Sequence, residues 1–518
     1  MEADVTIVGA GPTGLMLAAE LRLARVRTLV LERRPEIRET PRAGAFVGRI
    51  VDLLRYRGLL GRIEAASGIP SFRAPKVPFG NLYLDFSQLA EAPIWGARLP
   101  QPQLERLLEE HARELGAEIR RGHELVGLRQ HDASVTVEVH GSDGPYRLET
   151  RYLVGCDGSR SRVRVLAGIA FPGTTYPEVN RLGTTTVHHS VIRLDNGDIV
   201  VPGLGLVRAG FTRTARGVFA LGSLDPAVLG IQTTEDEQTA VDDDAPMTRT
   251  EFRDSIRRVL GGDIPLGEVT RLSRYGFEAR QAELYRNGRI LVAGDAAHQF
   301  PATGIGINVG MLDAVNLGWK LAAAAQGWAP AGLLDTYHDE RHFAGARGMM
   351  QTQAQAALRR EQDPAMEALR ELLQELMVYD QPLRHMGELI AATDIRYSPT
   401  NPNGRALTGT FVPDLILHTD QGATSVAALM RTARPILLDL ADRSELRSTA
   451  RDWQHRIDIH TTKTDDRPAD ALLIRPDAHI GWAATIDEPA ATATVALREA
   501  LLRWFGSPET KRVLSETV

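Results

Sequence analysis

The chain has 518 residues, which at about 150 residues per domain is length for roughly two to four domains and more than one buried core. Hydrophobic residues make up 43% and charged residues 24%, an ordinary globular balance that excludes wholesale disorder. A net charge of −6 argues against nucleic-acid binding and against a polybasic membrane-surface protein, and no apolar stretch is long enough to span a bilayer.

The N-terminus is apolar from Met1 to Glu20, but it lacks a basic leader and carries Gly9, Gly11 and Gly14. It therefore reads as strand–turn–helix rather than as a signal peptide. DVTIV (4–8) predicts a buried strand, LMLAAELRLA (15–24) a helix and VRTLVLE (26–32) a second strand. Between the first two lies GAGPTG, a G-x-G-x-x-G. Gly9 permits the tight turn, Gly11 lets a pyrophosphate approach the backbone, and Gly14 lets the helix pack against the strand. The helix N-terminus offers free N–H groups and a positive dipole end. Glu32, at the end of the second strand, is placed to accept hydrogen bonds from a ribose. Pro12, Thr13 and Arg33 fall within the same expected dinucleotide contacts. The motif alone leaves FAD and NAD both open.

YLVGCDGSRSRVR (152–164) reads as an apolar strand entering an Asp157-Gly158 turn and an arginine-rich helix start. Arg160, Arg162 and Arg164 could meet phosphates or form a solvated helix face. Cys156 in this segment is the single cysteine. It excludes an intrachain disulfide, a CxxC pair and a cysteine-rich zinc site, and a cytoplasmic protein is expected. Residues 73–98 and 173–280 alternate as antiparallel strands do. Phe79, Trp95, Phe211 and Tyr275 could line a pocket there or serve as plain core. His188 and His189, adjacent on a strand, would face opposite sides. PGLGLVRAG (202–210) reads as a strand turn, not a second dinucleotide site. The acidic residues 235–237 and 242–244 read as an exposed loop.

GRILVAGDAAHQFPATGIGINVGMLDAVNLGWKLAAA (288–324) gives a third strand, a Gly294-Asp295 turn, a loop and a helix from about Ile307. Helices follow over 311–390. Within them His338 and His342 share a helix face but lack a third ligand, so no metal site is expected. TNPNG (400–404) reads as a linker. Beyond it, 433–442, 455–462 and 469–484 predict strands and 497–506 a closing helix.

With its three glycine-flanked turns in this order, the chain resembles the FAD-dependent aromatic hydroxylases. These are the single-component flavoprotein monooxygenases related to p-hydroxybenzoate hydroxylase, and the likeness is to their larger polyketide-tailoring and antibiotic-modifying branch. RAG (42–44) and LPQPQLERLL (99–108) extend the likeness, which covers about residues 1–395. It implies an α/β fold: a Rossmann-like FAD-binding domain (1–72, 99–172 and 281–398), an inserted antiparallel-sheet substrate domain (73–98 and 173–280), and a thioredoxin-like C-terminal domain (399–518). No cysteine lies in that last domain, so a redox role fails. Packing, homodimer contact or covering the substrate domain remain open to it.

The resemblance also implies FAD as cofactor, with NADPH or NADH and dioxygen as co-substrates. A flavin hydroperoxide would deliver one oxygen atom to a polycyclic aromatic substrate. Arg42 would approach the flavin, as would Gln101, or Gln103 if the register differs. Asp157 belongs to the second motif. Asp295 would accept from the ribityl hydroxyls, or instead cap a helix. Pro301 would stiffen the loop beside the isoalloxazine, and Gly304 and Gly306 would allow close approach. The helix start at Ile307 and Asn308 would point its positive end at the pyrimidine edge. Ile305 and Ile307 depart from the family's commonest loop. Two alternatives are Baeyer–Villiger oxygen insertion beside a polyketide ketone, and a non-catalytic flavin-binding partner protein.

Overall fold

The computed structural model describes residues 2–39, 43–222, 227–236, 246–301, 304–360, 363–397, 406–420 and 422–508. Arg42, residues 237 and 242–244 of the acidic stretch, and the 400–404 linker lie outside them.

The chain opens with β1 (Ala3–Val8), α1 (Pro12–Leu23) and β2 (Thr28–Glu32). Helix α1 starts three residues before the leucine run. Pro12 has a pre-set φ and no N–H to leave unbonded, so it suits the first turn, with Gly11 as N-cap. Residues Gly14 to Leu21 are all buried, which makes α1 an interior helix. There follow α2 (Arg49–Tyr56), α3 (Gln101–Glu114), β3 (Glu118–Arg121) and β4 (Gly144–Gly155). An inserted unit comprises β5 (Gly173–Val187), β6 (Gly210–Thr214), β7 (Gly217–Gly222), β8 (Val228–Asp236), α4 (Arg249–Leu260) and β9 (Leu266–Gln281). The chain then returns through β10 (Ile290–Val292), α5 (Gly306–Gln326) and α6 (Thr336–Arg360).

The first sheet runs β10-β4-β1-β2-β3 with every one of these pairs parallel. Its strands are near-continuous apolar runs, with Val5, Ile7, Leu31, Leu153 and Leu291 all fully buried. That pattern belongs to a sheet covered on both faces. The three glycine-flanked turns follow β1, β4 and β10, which are neighbours in the sheet. All three turns therefore open at one carboxyl edge, where ligands of doubly wound sheets bind.

The second sheet is antiparallel, in the order β6-β7-β8-β5-β9. Helix α4 closes one face by burying Phe252, Ile256 and Val259. Gly183 of β5 is required there, since a Cβ would lie 2.2 Å from the Phe252 ring. At its end β9 pairs with His298–Gln299, which ties this sheet to the turn after β10. Residues 73–98 do not join it. They form a hairpin (Lys76–Phe79 with Leu82–Asp85), and they supply two strands of a small sheet in which Trp95–Arg98 pairs with Ala45–Val47 and Phe72–Arg73.

The C-terminal unit carries β11 (Ile436–Asp439), β12 (Asp458–Thr461), β13 (Ala471–Ile474), β14 (Ile480–Ala484) and α7 (Ala490–Phe505). The strand order is β12-β11-β13-β14, with β11 and β12 parallel and the rest antiparallel. This β-α-β followed by β-β-α is thioredoxin-like. The unit packs onto α1 and α5. Buried Arg57 donates to Glu20 of α1 (2.6 Å) and to the Pro476 carbonyl (2.6 Å), and Trp319 of α5 meets Trp504 and Phe505 of α7. Among the described residues no helix is long and apolar enough to cross a membrane.

Candidate flavin and ring-substrate site

Steric necessity explains the first turn. Gly9 has φ +107°, and a Cβ on it would lie 2.3 Å from the Cys156 carbonyl oxygen of the neighbouring turn. A Cβ on Gly14 would lie 2.0 Å from the Gly9 oxygen, so α1 can sit this close only with glycine there. Gly11 is different: nothing lies within 4 Å of where its Cβ would be. As N-cap it carries no side-chain cap, so the first-turn N–H groups of α1 face open space. Glu32 accepts from Ala10 N (2.8 Å) and Arg34 N (2.9 Å), which fixes its carboxylate beside this turn with lone pairs to spare. Thr13 points elsewhere. A Cβ on Gly294 or on Gly310 would lie 2.6 or 2.5 Å from its Oγ1, so Thr13 wedges α1 against the third turn and α5. Only its backbone remains for a ligand.

The third turn presents Asp295. It is exposed although Gly294 and Ala296 on either side are buried. Its Oδ1 lies 3.3 Å from the place a Gly306 Cβ would take, at the first turn of α5. Helix α5 also lacks a side-chain cap. Asn308 instead braces the loop, donating from Nδ2 to Gly304 O (3.2 Å) and accepting from Val47 N (3.4 Å). Gly304 has φ +87° with open space around its Cβ position, Pro301 is buried, and Ile307 packs against the core. Two uncapped helix N-termini, an exposed carboxylate and two open glycines thus share one edge. Such a donor set fits an anionic dinucleotide and an electron-accepting ring. Gln101 is half-buried and donates from Nε2 to Glu105 (2.7 Å), while Gln103 is exposed.

The second turn works structurally. Asp157 accepts from Ser161 Oγ (2.5 Å), Arg162 N (2.7 Å) and Val163 N (3.1 Å), capping the short helix Arg162–Leu166. Burial raises its pKa despite these donors. Arg164 is not a phosphate partner. It is buried over the Phe171 ring at 3.7 Å and donates to Ala296 O (3.0 Å) and Ser159 O (2.9 Å), joining the second turn to the third. Arg162 pairs with exposed Glu124 (3.0 Å).

Sequence reasoning missed the support beneath Asp295. Asp313 of α5 is fully buried. It accepts from Gly294 N (3.0 Å), His298 Nε2 (2.7 Å) and Arg341 Nε (2.6 Å). Burial opposes its charge, but Arg341 and His298 outweigh that and hold the carboxyl below its ordinary range. The available signal was an aspartate inside the apolar run MLDAVNLGWK. His338 and His342 stack near Tyr285, and among the described residues no cluster could hold a metal. The expectation for His188 and His189 fails because β5 ends at Val187. Both lie past the strand, with ring centroids 4.0 Å apart.

On the face of the second sheet away from α4 lies an open hollow against α6, lined by Glu178, Phe211, Gln232, Thr234, Phe277 and Arg359 among others. Of the four aromatics considered from sequence, Phe211 lines it. Tyr275 is half-buried beside Phe277, Phe79 is core, and Trp95 lies near the guanidinia of Arg55 and Arg73. A second hollow lies where α2, α5 and α6 meet the C-terminal unit.

Comparison with known proteins agrees with this geometry. A family described as FAD binding domain matches residues 2–352, and one described as aromatic-ring hydroxylase, C-terminal, matches 405–508. The chain is 41% identical to a 12-dehydrotetracycline 5-monooxygenase/anhydrotetracycline 6-monooxygenase from Streptomyces rimosus, over 98% of this chain and 100% of that protein. It is 38% identical to a rifampicin monooxygenase from Streptomyces venezuelae, over 97% and 99%. Among solved structures, the OxyS anhydrotetracycline hydroxylase from Streptomyces rimosus superposes with a TM-score of 0.86 at 40% identity, covering 98% of this chain and 100% of that one. The chain belongs to the FAD-dependent aromatic-ring hydroxylases, in their polyketide-tailoring branch, and is a flavoprotein monooxygenase.

Proposed function

We propose that the protein uses NAD(P)H and dioxygen to hydroxylate a polycyclic aromatic compound of the polyketide or antibiotic kind, seated in the hollow on the second sheet. The observation that carries this reading is the path along α6. A Cβ on Gly348 would touch Phe300 (3.1 Å) and Ile305 (3.3 Å) of the flavin loop, and the same helix supplies Ala356 and Arg359 to the hollow. A flat ring system could thus extend from the flavin edge to the sheet. FAD, when bound, would supply a two-electron store that NAD(P)H fills and dioxygen empties, one oxygen atom passing to the ring and the other leaving as water.

The chain's own residues bind and orient. The α1 N-terminus and Gly11 would hold the pyrophosphate, Glu32 a ribose and Asp295 the ribityl chain. The α5 N-terminus would favour negative charge on the pyrimidine edge. Gln101, Pro301, Gly304 and Gly306 would frame the ring, with Arg42 joining from the segment before Ala43. Phe211 and Phe277 would keep the hollow dry and the substrate in plane.

The test is NADPH oxidation by the FAD-loaded protein with oxygen uptake, with and without anhydrotetracycline. Stimulated turnover and a product one oxygen atom heavier, with NMR placing the oxygen on a ring carbon as a hydroxyl, are expected. No stimulation by this or other aromatic polyketides would overturn the reading.

A further inference from the structure

Arg359 is a cation the flavin site does not use. It is 8% exposed, on the last turn of α6, and lines the sheet hollow. Its Nε donates to its own helix at Gln355 O (3.3 Å), and its guanidinium carbon lies 5.6 Å from the Phe277 ring centroid. Its Nη2 is buried and, among the described residues, has no hydrogen-bond partner. A buried N–H donor without an acceptor costs free energy, more so on a charged group. Burial accordingly lowers this arginine's pKa.

The residue stands in register with the flavin loop. Gly348, which touches Phe300 and Ile305, precedes Arg359 by eleven residues. That is close to three helical turns, so the two share a face about 16 Å apart. The titratable groups facing Arg359 are Glu178 of β5 and Tyr275 of β9. Tyr275 is held neutral by burial. Glu178, which lines the same hollow, attracts Arg359 but opposes a second anion, so the oxygen must sit on the Nη2 side of the guanidinium.

We propose that Arg359 is a specificity-determining residue that receives an acidic oxygen, a phenolate or enolate, on the substrate ring farthest from the flavin. This rests on the sheet hollow being the ring-substrate site. A planar guanidinium beside Phe277 can stack on the ring edge and present Nη2 to the oxygen. The charge-assisted bond satisfies the orphan donor and selects ligands that ionise readily over apolar polycycles of the same shape.

Alizarin is a suitable probe, since loss of the proton from its acidic phenol changes its colour from yellow to red. The dye is titrated into FAD-loaded wild type, Arg359→Met and Arg359→Lys, below the pH at which free alizarin ionises. Wild type and Arg359→Lys are expected to hold it as the red phenolate. Arg359→Met should bind it yellow and roughly tenfold or more weakly. On wild type alone, the 2-methyl ether of alizarin should bind weaker by a similar factor. Yellow dye on wild type, red dye on Arg359→Met, or equal affinity for the ether would overturn the assignment. Failure of wild type to bind either dye would instead overturn the hollow as a ring site, and this inference with it.

Discussion

Arg475 of the C-terminal unit clamps both carboxylate oxygens of Glu340 in α6, Nη1 to Oε1 at 2.6 Å and Nη2 to Oε2 at 2.7 Å. Lys320 Nζ and Asn316 Nδ2 reach the same carboxylate, each at 2.7 Å. Arg475 is 1% exposed and ringed by Trp319, Trp504 and Tyr397. The C-terminal unit is therefore joined to α5 and α6 by a dry bidentate ion pair. Without the Glu340 charge, Arg475 keeps only Asp477 (3.0 Å from Nε) and Lys320 loses its one bonded carboxylate. Glu340→Gln is expected to destabilise the protein by about 3–5 kcal/mol, read by denaturant unfolding. A loss under about 1 kcal/mol would show that the joint tolerates Lys320 without a bonded carboxylate.

The same carboxylate sets an acid limit. Burial alone would raise its pKa, but Arg475 and Lys320 outweigh burial and hold it at about 2 against an ordinary 4.5. A depressed carboxylate contributes stability above its unfolded pKa and loses it as pH falls through the folded one. The thermal midpoint should fall between pH 4.5 and about 2, less steeply in Glu340→Gln. Lys320 works the other way. Burial pushes it down to about 8 from 10.5, so stability from this group rises with pH across that interval.

Gly310 is where α5 meets both the third turn and Thr13. A Cβ there would lie 2.5 Å from Thr13 Oγ1 and 3.1 Å from the Gly294 backbone. Gly310→Ala should cost about 1–3 kcal/mol by overpacking and should loosen FAD, because the displaced turn carries Asp295. Full flavin content after gel filtration would contradict this.

Asp295 is exposed into the cradle, whereas Asp157 caps a helix. Asp295→Ala should lower flavin retention with little change in the stability of the apoprotein. Asp157→Ala should do the reverse, lowering apoprotein stability by about 1 kcal/mol. Comparing bound-flavin absorbance with apoprotein melting separates the two. Equal flavin occupancy in both variants would refute the assigned roles.

The parallel sheet was legible because its signals are local. DVTIV, YLVGC and RILVA are short apolar runs that stop at glycine, and each became a strand of one sheet. The glycine spacing after β1 likewise specified a turn that only glycine can make. Thr13 illustrates the limit. Its motif position suggested a ligand contact, but what its side chain meets is decided by Gly294 and Gly310, some three hundred residues away.

Strand propensity, the glycine turns and the missing C-terminal cysteines are properties of contiguous residues, so the linear chain by itself determined the parallel sheet, the order of its three turns and a tail without a cysteine pair, while the family resemblance of those motifs pointed to the flavin. The capping work of Asp157, the buried Asp313–Arg341 brace, the seat of the C-terminal unit on α6 and the orphan donor of Arg359 were decided only by tertiary structure. Each depends on which charges are withdrawn from water together, and desolvation is a property of the packed whole rather than of any segment.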